Sequence, residues 1–321
     1  MKLKKIISII MAAALIGGTA ATLSGCGEDK TNTETTAAAT EATTAAKTEK
    51  SAAVQALADE GIDVDALGID PQITYADNEE YGFQLEKPAK GDTIAILHTS
   101  MGDITLRFFP EYAPKTVENF LTLAKDGKYD GVTFHRVIND FMIQTGDYEN
   151  HNGTGGTSAY GSAFEDEFCD KLNNLRGSVA MANSGKDTNG SQFFINQKSA
   201  EAFAGSGGMD SYKNSWSSIV SQIKAYASDT ATLSQIISYY GTGFYAASVV
   251  PDEIVKLYNE NGGNPNLDGA YQAGDAGHTV FAQVIDGMDV VDAIAAVETD
   301  ESDKPKKDVT IDSIEITEYK G

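Results

Sequence analysis

The chain has 321 residues, 47 acidic against 24 basic side chains, and a formal net charge of −23 at pH 7. A surface of that sign repels phosphate backbones and anionic lipid headgroups, which argues against nucleic-acid binding and against electrostatic docking on a bilayer. With two cysteines in the whole chain, no disulfide framework is encoded.

The first 25 residues carry Lys2, Lys4 and Lys5, then an apolar run rich in Ile, Ala and Gly, then Ser24-Gly25-Cys26. A charged start, a short apolar run and small residues before a cut site predict a secretory signal over 1–25 rather than a permanent span. Leu23-Ser24-Gly25-Cys26 is similar to the bacterial lipobox, which implies cleavage before Cys26 and a diacylglyceryl group on its thiol. Removal of the three lysines leaves a net charge of −26, so contact with lipid has to come through that anchor. The expected location is extracytoplasmic, tethered to the cell membrane. Residues 26–50 offer Thr, Ala, Glu and Lys with no large side chain to bury. As a flexible coil, this tether reaches roughly 25 to 30 Å.

Residues 51–91 form an acidic extension, in which Val54, Leu57 and Ala58 have helical spacing and Asp59, Asp63, Asp65 and Asp70 follow. These carboxylates lack the alternating ligand pattern, central Gly and terminal Glu of a calcium loop, so they read as a solvated stretch. From 92 to 319 the pattern is that of a globular domain. Ile94, Ile96 and His98 alternate with their neighbours, Met101-Gly102-Asp103 turns, and Ile104, Leu106 and Phe108 alternate again, which predicts a hairpin. Pro114 opens a helix whose apolar face is Val117, Phe120, Leu121 and Ala124, closed by Asp126-Gly127. Further strands are predicted at 179–181, 193–195, 280–285 and 309–316, and a second helix at 288–297. Many short strands with two helices predict a mainly β domain, a closed antiparallel barrel.

An insert at 199–264 interrupts this pattern with helical spacing. Trp216, Ile219, Val220, Ile223 and Tyr226 share one face; Leu233, Ile236, Ile237 and Tyr240 share another. A third helix begins at Pro251, buries Ile254, Val255, Leu257 and Tyr258, and stops at Asn261-Gly262-Gly263. These stripes read as core, packed within the insert or on the barrel. Cys169, with Cys26 lipidated, is left without a partner and reads as a small half-buried residue.

The most informative stretch is 134–147, Phe134-His135-Arg136-Val137-Ile138-Asn139-Asp140-Phe141-Met142-Ile143-Gln144-Thr145-Gly146-Asp147. It sets Arg136 and Gln144 among large apolar side chains on a strand-like segment. A buried guanidinium is costly unless paired, so the segment reads as an apolar pocket that a polar ligand enters; a core arginine satisfied by a carboxylate is the alternative. Met181-Ala182-Asn183-Ser184 and Asn189-Gly190-Ser191-Gln192-Phe193-Phe194-Ile195 repeat the mixture. Together the three segments resemble the cyclophilin family of peptidyl-prolyl cis-trans isomerases over 92–198 and 265–319.

The resemblance implies an eight-stranded closed barrel with a helix capping each end, and it carries roles position by position. Arg136, Phe141, Gln144 and Asn183 match the catalytic set. Met142, Gly153, Ala182, Gln192, Phe194, Leu267 and His278 match the substrate-binding set. Phe141, Met142 and Phe194 form the implied proline socket, Leu267 and His278 its outer wall, and Gln144, Asn183 and Gln192 the polar clamps. His278 alone reads equally as an edge-strand histidine. The glycine-rich run 151–156, which includes Gly153, lacks the Lys-Ser/Thr of a phosphate loop. His98, His135 and His151 show no metal spacing, and neither a metal nor a cofactor is expected.

The chain departs from the family at Asn266, where many members have tryptophan, at Ser184 in place of alanine, and at 270–277, eight residues where the family usually has one. The implied function is isomerisation of X-Pro bonds in proline-containing, unfolded or exported polypeptides, with weak cyclosporin binding. A second reading is a non-catalytic module that binds proline segments and uses the insert as a scaffold.

Overall fold

The computed structural model describes residues 51–69, 71–274 and 276–321. The signal and tether over 1–50, Cys26 with them, and Asp70 lie outside the described residues.

The hairpin forms as expected, β2 (Thr93–Thr99) against β3 (Gly102–Phe108), with Thr99 opposite Gly102. Its first strand is one residue out of the predicted phase. Ala95 and Leu97 are fully buried, while Ile96 and His98 are partly exposed. A period of two gives both phases the same alternation when apolar residues occupy each, and the partner face decides. The helix α3 (Pro114–Lys125) follows with Pro114 in its first turn, and buries Val117, Phe120, Leu123 and Ala124. Strands β4 (Val132–Thr133), β5 (Arg136–Ile138), β6 (Met142–Thr145), β8 (Ser178–Met181), β9 (Phe193–Asn196), β10 (Val280–Asp286) and β11 (Thr310–Glu318) complete the main sheet.

The sheet is antiparallel and nine-stranded, in the order β4-β11-β2-β3-β10-β8-β9-β6-β5. This corrects the expected closed eight-stranded barrel. The edge strands β4 and β5 are joined by two residues of chain, Phe134 and His135, and no ladder pairs them. The sheet therefore curls until its edges meet through the covalent chain and stays open in its hydrogen bonding. Its concave core gathers Leu97, Ile104, Leu106, Val137, Ile143, Val179, Ile195 and Phe281, with Phe120 of α3 and Val291 and Ile294 of the late helix Met288–Ala295 packed on it.

The acidic extension is less independent than its composition suggests. Its helix α1 (Ala52–Asp59) starts at a Ser51 cap and buries Ala53, Val54 and Leu57. These join Ile62 and Val64 in one cluster with Trp216, Ile219, Val220, Ile223 and Leu233 of the insert. Asp59, Asp63 and Asp65 are exposed, as expected of a solvated stretch; Asp63 caps the short helix α2 (Val64–Leu67). Further on, β1 (Ile73–Thr74) pairs in parallel with β7 (Phe168–Cys169). The insert holds Ala200–Gly205, Gly208–Ile223, Thr230–Tyr240 and Asp252–Asn261, one helix more than the sequence suggested. Trp216 is 5 % exposed and lies 5.6 Å from Phe244, within this helical core.

The insert leaves the sheet after Lys198 and returns at Gly262. A Cβ on Gly262 would overlap the backbone of Lys198 and Ser199, and φ there is +81°. Entry and exit thus touch, which is why the sheet accommodates some 65 extra residues without a gap in its ladders.

Candidate active site

Cross-strand register assembles the site. Arg136 on β5 faces Gln144 on β6, Gln144 faces Phe194 on β9, and Phe194 faces Ala180 on β8. Side chains two apart share a face, so Met142 joins this row while Val137, Ile143 and Ile195 turn into the concave core. The convex face would ordinarily be polar. Here it carries a second apolar cluster of Met142, Cys169, Ala180, Phe194, Leu267 and Val280, with Phe141 and Ala182 partly buried against it. That is the reason 134–147 is apolar on both faces in the sequence. Cys169 is buried, not half-buried, and burial pushes its thiol up to about 12.

Beside the cluster runs a groove of about 200 Å³ lined by Gln144, Gly153, Ala182, Asn183, Thr188 and Gln192, among others. Gln144 Nε2 donates to Gln192 Oε1 at 3.0 Å, and Gln192 Nε2 donates to the carbonyls of Gly153 at 3.0 Å and Gly155 at 2.7 Å. Gly153 needs to be glycine: φ is +89°, and a Cβ would stand 3.0 Å from the His135 ring. Asp147 shapes this loop from beneath. Fully buried, its carboxylate accepts the backbone N–H groups of Glu149, Asn150, Asn152, Gly153 and Gly155 at 2.8 to 3.3 Å. Burial alone would raise its pKa, but the N–H groups of Asn150, Asn152, Gly155 and Gly153 together bring it down to about 2.

Arg136 is no core arginine. Its side chain is 40 % exposed, and its Nε lies 3.8 Å from Asp303 Oδ2, beyond hydrogen-bond length. The guanidinium can therefore donate to a group entering over Gln144 and Phe194. His278 packs edge to face on Phe194 at 5.2 Å, and its Nδ1–H donates to the Met181 carbonyl at 2.8 Å. Burial holds its imidazole below the ordinary pKa, which keeps it neutral. The Asn183 side chain is already engaged, donating from Nδ2 to the Gly277 carbonyl at 2.9 Å. Asn183 thus ties down the long 270–277 connection.

Of the substrate-site residues named from the sequence, nine fall in the apolar cluster or the groove, Ala182 in both, while Arg136 adjoins them opposite Gln144 and His278 through its ring contact with Phe194. A larger cavity of about 360 Å³ between the extension and β3, lined by Glu79, Phe83, Arg107 and Tyr112, contains none of them. Trp216 lines neither, and the insert brings no tryptophan to the groove where Asn266 replaces the one many family members carry. Sequence reading missed Asp147, whose partners lie on the loop that follows it, and Asp303, itself on a loop that meets β5 at Arg136 and Val137. Asn264 and Asp268 were missed for a different reason, since they look like turn residues and their partners lie far along the chain, Phe141 and Asn196 for the first and Asn173, Asn174 and Tyr258 for the second. Among the described residues no group of three or more His, Cys, Asp or Glu side chains is placed to hold a metal ion, and no helix is long and apolar enough to cross a membrane.

The curled antiparallel sheet thus carries an apolar socket and a polar groove on its convex face. The family model described as cyclophilin type peptidyl-prolyl cis-trans isomerase/CLD matches residues 94–224 and 233–316, and the chain belongs to that family. Proteins of Staphylococcus saprophyticus and Staphylococcus aureus, each assigned as a peptidyl-prolyl cis-trans isomerase, are 43 % identical over 236 residues, which is 73 % of this chain and 98 % of theirs. A Streptococcus pyogenes protein assigned as a bifunctional phosphatase/peptidyl-prolyl cis-trans isomerase is 44 % identical over 68 % of this chain and 38 % of its own length. A Cryptosporidium parvum cyclophilin structure aligns over 71 % of this chain and 98 % of its own, at 24 % identity and a TM-score of 0.46. The chain is thus a cyclophilin-type peptidyl-prolyl cis-trans isomerase.

Proposed function

We propose that this isomerase accelerates X-Pro rotation in exported polypeptides at the outer face of a bacterial membrane, with Arg136 stabilising the twisted amide. The observation that carries the reading is the cross-strand row of Arg136, Gln144 and Phe194, a charged donor and a polar clamp beside an aromatic socket. The cis and trans forms of an X-Pro bond are close in energy, but exchange takes tens to hundreds of seconds because rotation breaks amide resonance against about 18 to 20 kcal/mol. Rotation makes and breaks no other covalent bond. Catalysis therefore needs stabilisation of the twisted state, in which the prolyl nitrogen regains a lone pair that accepts a hydrogen bond. Arg136 supplies a donor whose charge does not titrate. Phe141, Met142 and Phe194 hold the ring, Leu267 and His278 wall it, and Gln144, Asn183 and Gln192 with Gly153 and Ala182 grip the flanking backbone. Cys26 supplies the anchor, and the tether gives the domain room to meet chains emerging at the surface.

Arg136→Ala tests the mechanism. It should lower kcat/KM at least about tenfold, equivalent to about 1.4 kcal/mol, with circular dichroism unchanged, and Arg136→Lys should not restore the rate fully because lysine lacks the planar fork. Wild-type rates in Arg136→Ala would remove the arginine from the mechanism and favour a module that binds proline segments and turns them over incidentally.

A further inference from the structure

The insert has a direct line into the proline socket. Asn264, the first residue after the Gly262-Gly263 exit, is 3 % exposed. Its Nδ2 donates to the Phe141 carbonyl at 3.1 Å and to Asn196 Oδ1 at 2.7 Å, and its backbone N–H donates to the Asn174 carbonyl at 2.8 Å. Its own carbonyl accepts the Leu267 N–H at 3.0 Å, closing the turn Pro265–Leu267, and the Leu267 carbonyl in turn accepts the His278 N–H at 3.0 Å. One side chain and one turn thus fix Phe141, Leu267 and His278, three of the residues assigned above to the socket and its wall.

The next node makes the link to the insert explicit. The buried Asp268 carboxylate accepts the Asn174 N–H at 2.6 Å, Asn174 Nδ2 at 3.1 Å, Asn173 Nδ2 at 3.3 Å and the Tyr258 hydroxyl at 2.7 Å. Tyr258 is fully buried on the last helix of the insert, against Phe203 of its first. Tyr212, on the long helix between them, donates to Asn266 Oδ1 at 3.3 Å. Two helices of the insert therefore bond the segment Asn264–Asp268 that carries Leu267 of the outer wall, and a third packs behind Tyr258. Loss of one of these buried bonds leaves its partner unsatisfied in a low-dielectric interior, which holds the turn in place.

We propose that Asn264 is a positioning residue for prolyl isomerisation, and that through it and the Tyr258–Asp268 pair the helical insert forms a fixed part of the proline socket. The proposal rests on the reading that Phe141 and Leu267 contact the substrate proline. It predicts a defect in holding the substrate and not in rotating it, since Arg136 is outside the network.

The test uses the full chain with Asn264→Leu, which keeps the branched shape while removing both side-chain donors, and Tyr258→Phe, which removes a single hydroxyl. Affinity for an Ala-Ala-Pro-Phe peptide is read by NMR titration and the on-enzyme cis-trans rate by exchange spectroscopy. Trp216 emission reports the fold of the insert. Both variants should weaken peptide binding at least threefold, change the on-enzyme rate less than twofold and leave Trp216 emission in place. Leu233→Ala, in the helical core, should lower the thermal midpoint without weakening the peptide. Binding weakened less than threefold overturns the proposal, as does a loss confined to the on-enzyme rate or an equal loss of affinity in Leu233→Ala. Should Asn264→Leu fail to fold, Tyr258→Phe decides by the same thresholds. Arg136→Ala keeps the two readings apart: an intact rate there sinks the arginine mechanism alone, and an intact affinity in the two network variants sinks this proposal alone.

Discussion

Asp147→Asn isolates the group that builds the substrate groove. In the wild type five backbone N–H groups converge on one buried carboxylate, three of them (Asn152, Gly153 and Gly155) on Oδ2. Asparagine keeps one acceptor oxygen, but its amide nitrogen opposes donors at the other position, as the hydroxyl of a protonated aspartate does. The variant is therefore a permanent version of the acid form. A pKa of about 2, against the usual 3.8, stabilises the folded state by about 2 kcal/mol at neutral pH, at about 1.4 kcal/mol per pH unit. The sign follows from the depressed value. The contribution is complete above pH 4 and disappears as pH falls through about 2, where both states are protonated. Urea unfolding of wild type and variant should differ by about 2 kcal/mol at pH 7, and the gap should narrow between pH 4 and pH 2. Subtracting the variant cancels the other carboxylates, which titrate in both proteins. Peptide affinity should fall as well, since Gly153 lines the groove and accepts from Gln192. A gap under about 0.5 kcal/mol at pH 7, or one that does not change with pH, would refute the account.

Other expectations concern the altered wall, the anchor and the half-buried His278. With Trp216 locked in the helical core and Asn266 in place of the family tryptophan, cyclosporin should inhibit weakly, and Asn266→Trp should bind it at least about tenfold more tightly because an indole restores apolar contact area and a donor; the check is drug titration against isomerase activity. Cys26→Ser should abolish lipid labelling and release the protein from the membrane fraction, because a diacyl thioether supplies the two chains stable anchoring requires; recovery with membranes equal to wild type would contradict it. His278 is held neutral by burial, so below pH 6.5 the unfolded chain takes up a proton that the folded one refuses, and stability falls. His278→Phe should show a smaller loss between pH 6.5 and 5 in denaturant titrations, and an unchanged slope would place that loss elsewhere.

The sequence by itself determined the hairpin, four further strands and two helices of the sheet domain, the helical run of the insert, and the setting of Arg136, Asn183 and Gln192 among apolar residues. Each of these is written in local signals: alternation in 102–108, proline at the start of α3, paired glycines at 262–263, and polar residues set in apolar strands around Arg136, Asn183 and Gln192. Local pattern could not say which face of β2 turns inward, because apolar residues occupy both phases. It also could not say whether the sheet closes, because the meeting of β4 and β5 is a matter of curvature accumulated over nine strands.

Tertiary structure alone decided what the insert does. Trp216 and Tyr258 read as members of similar helical stripes, yet one is walled into a core shared with the acidic extension and the other reaches Asp268 under the socket. Asn264 and Asp268 look like ordinary turn residues in the chain. Their bonds reach Phe141 and Asn174, 123 and 94 residues away, and such pairings follow from how two packed bodies meet, which no local periodicity records.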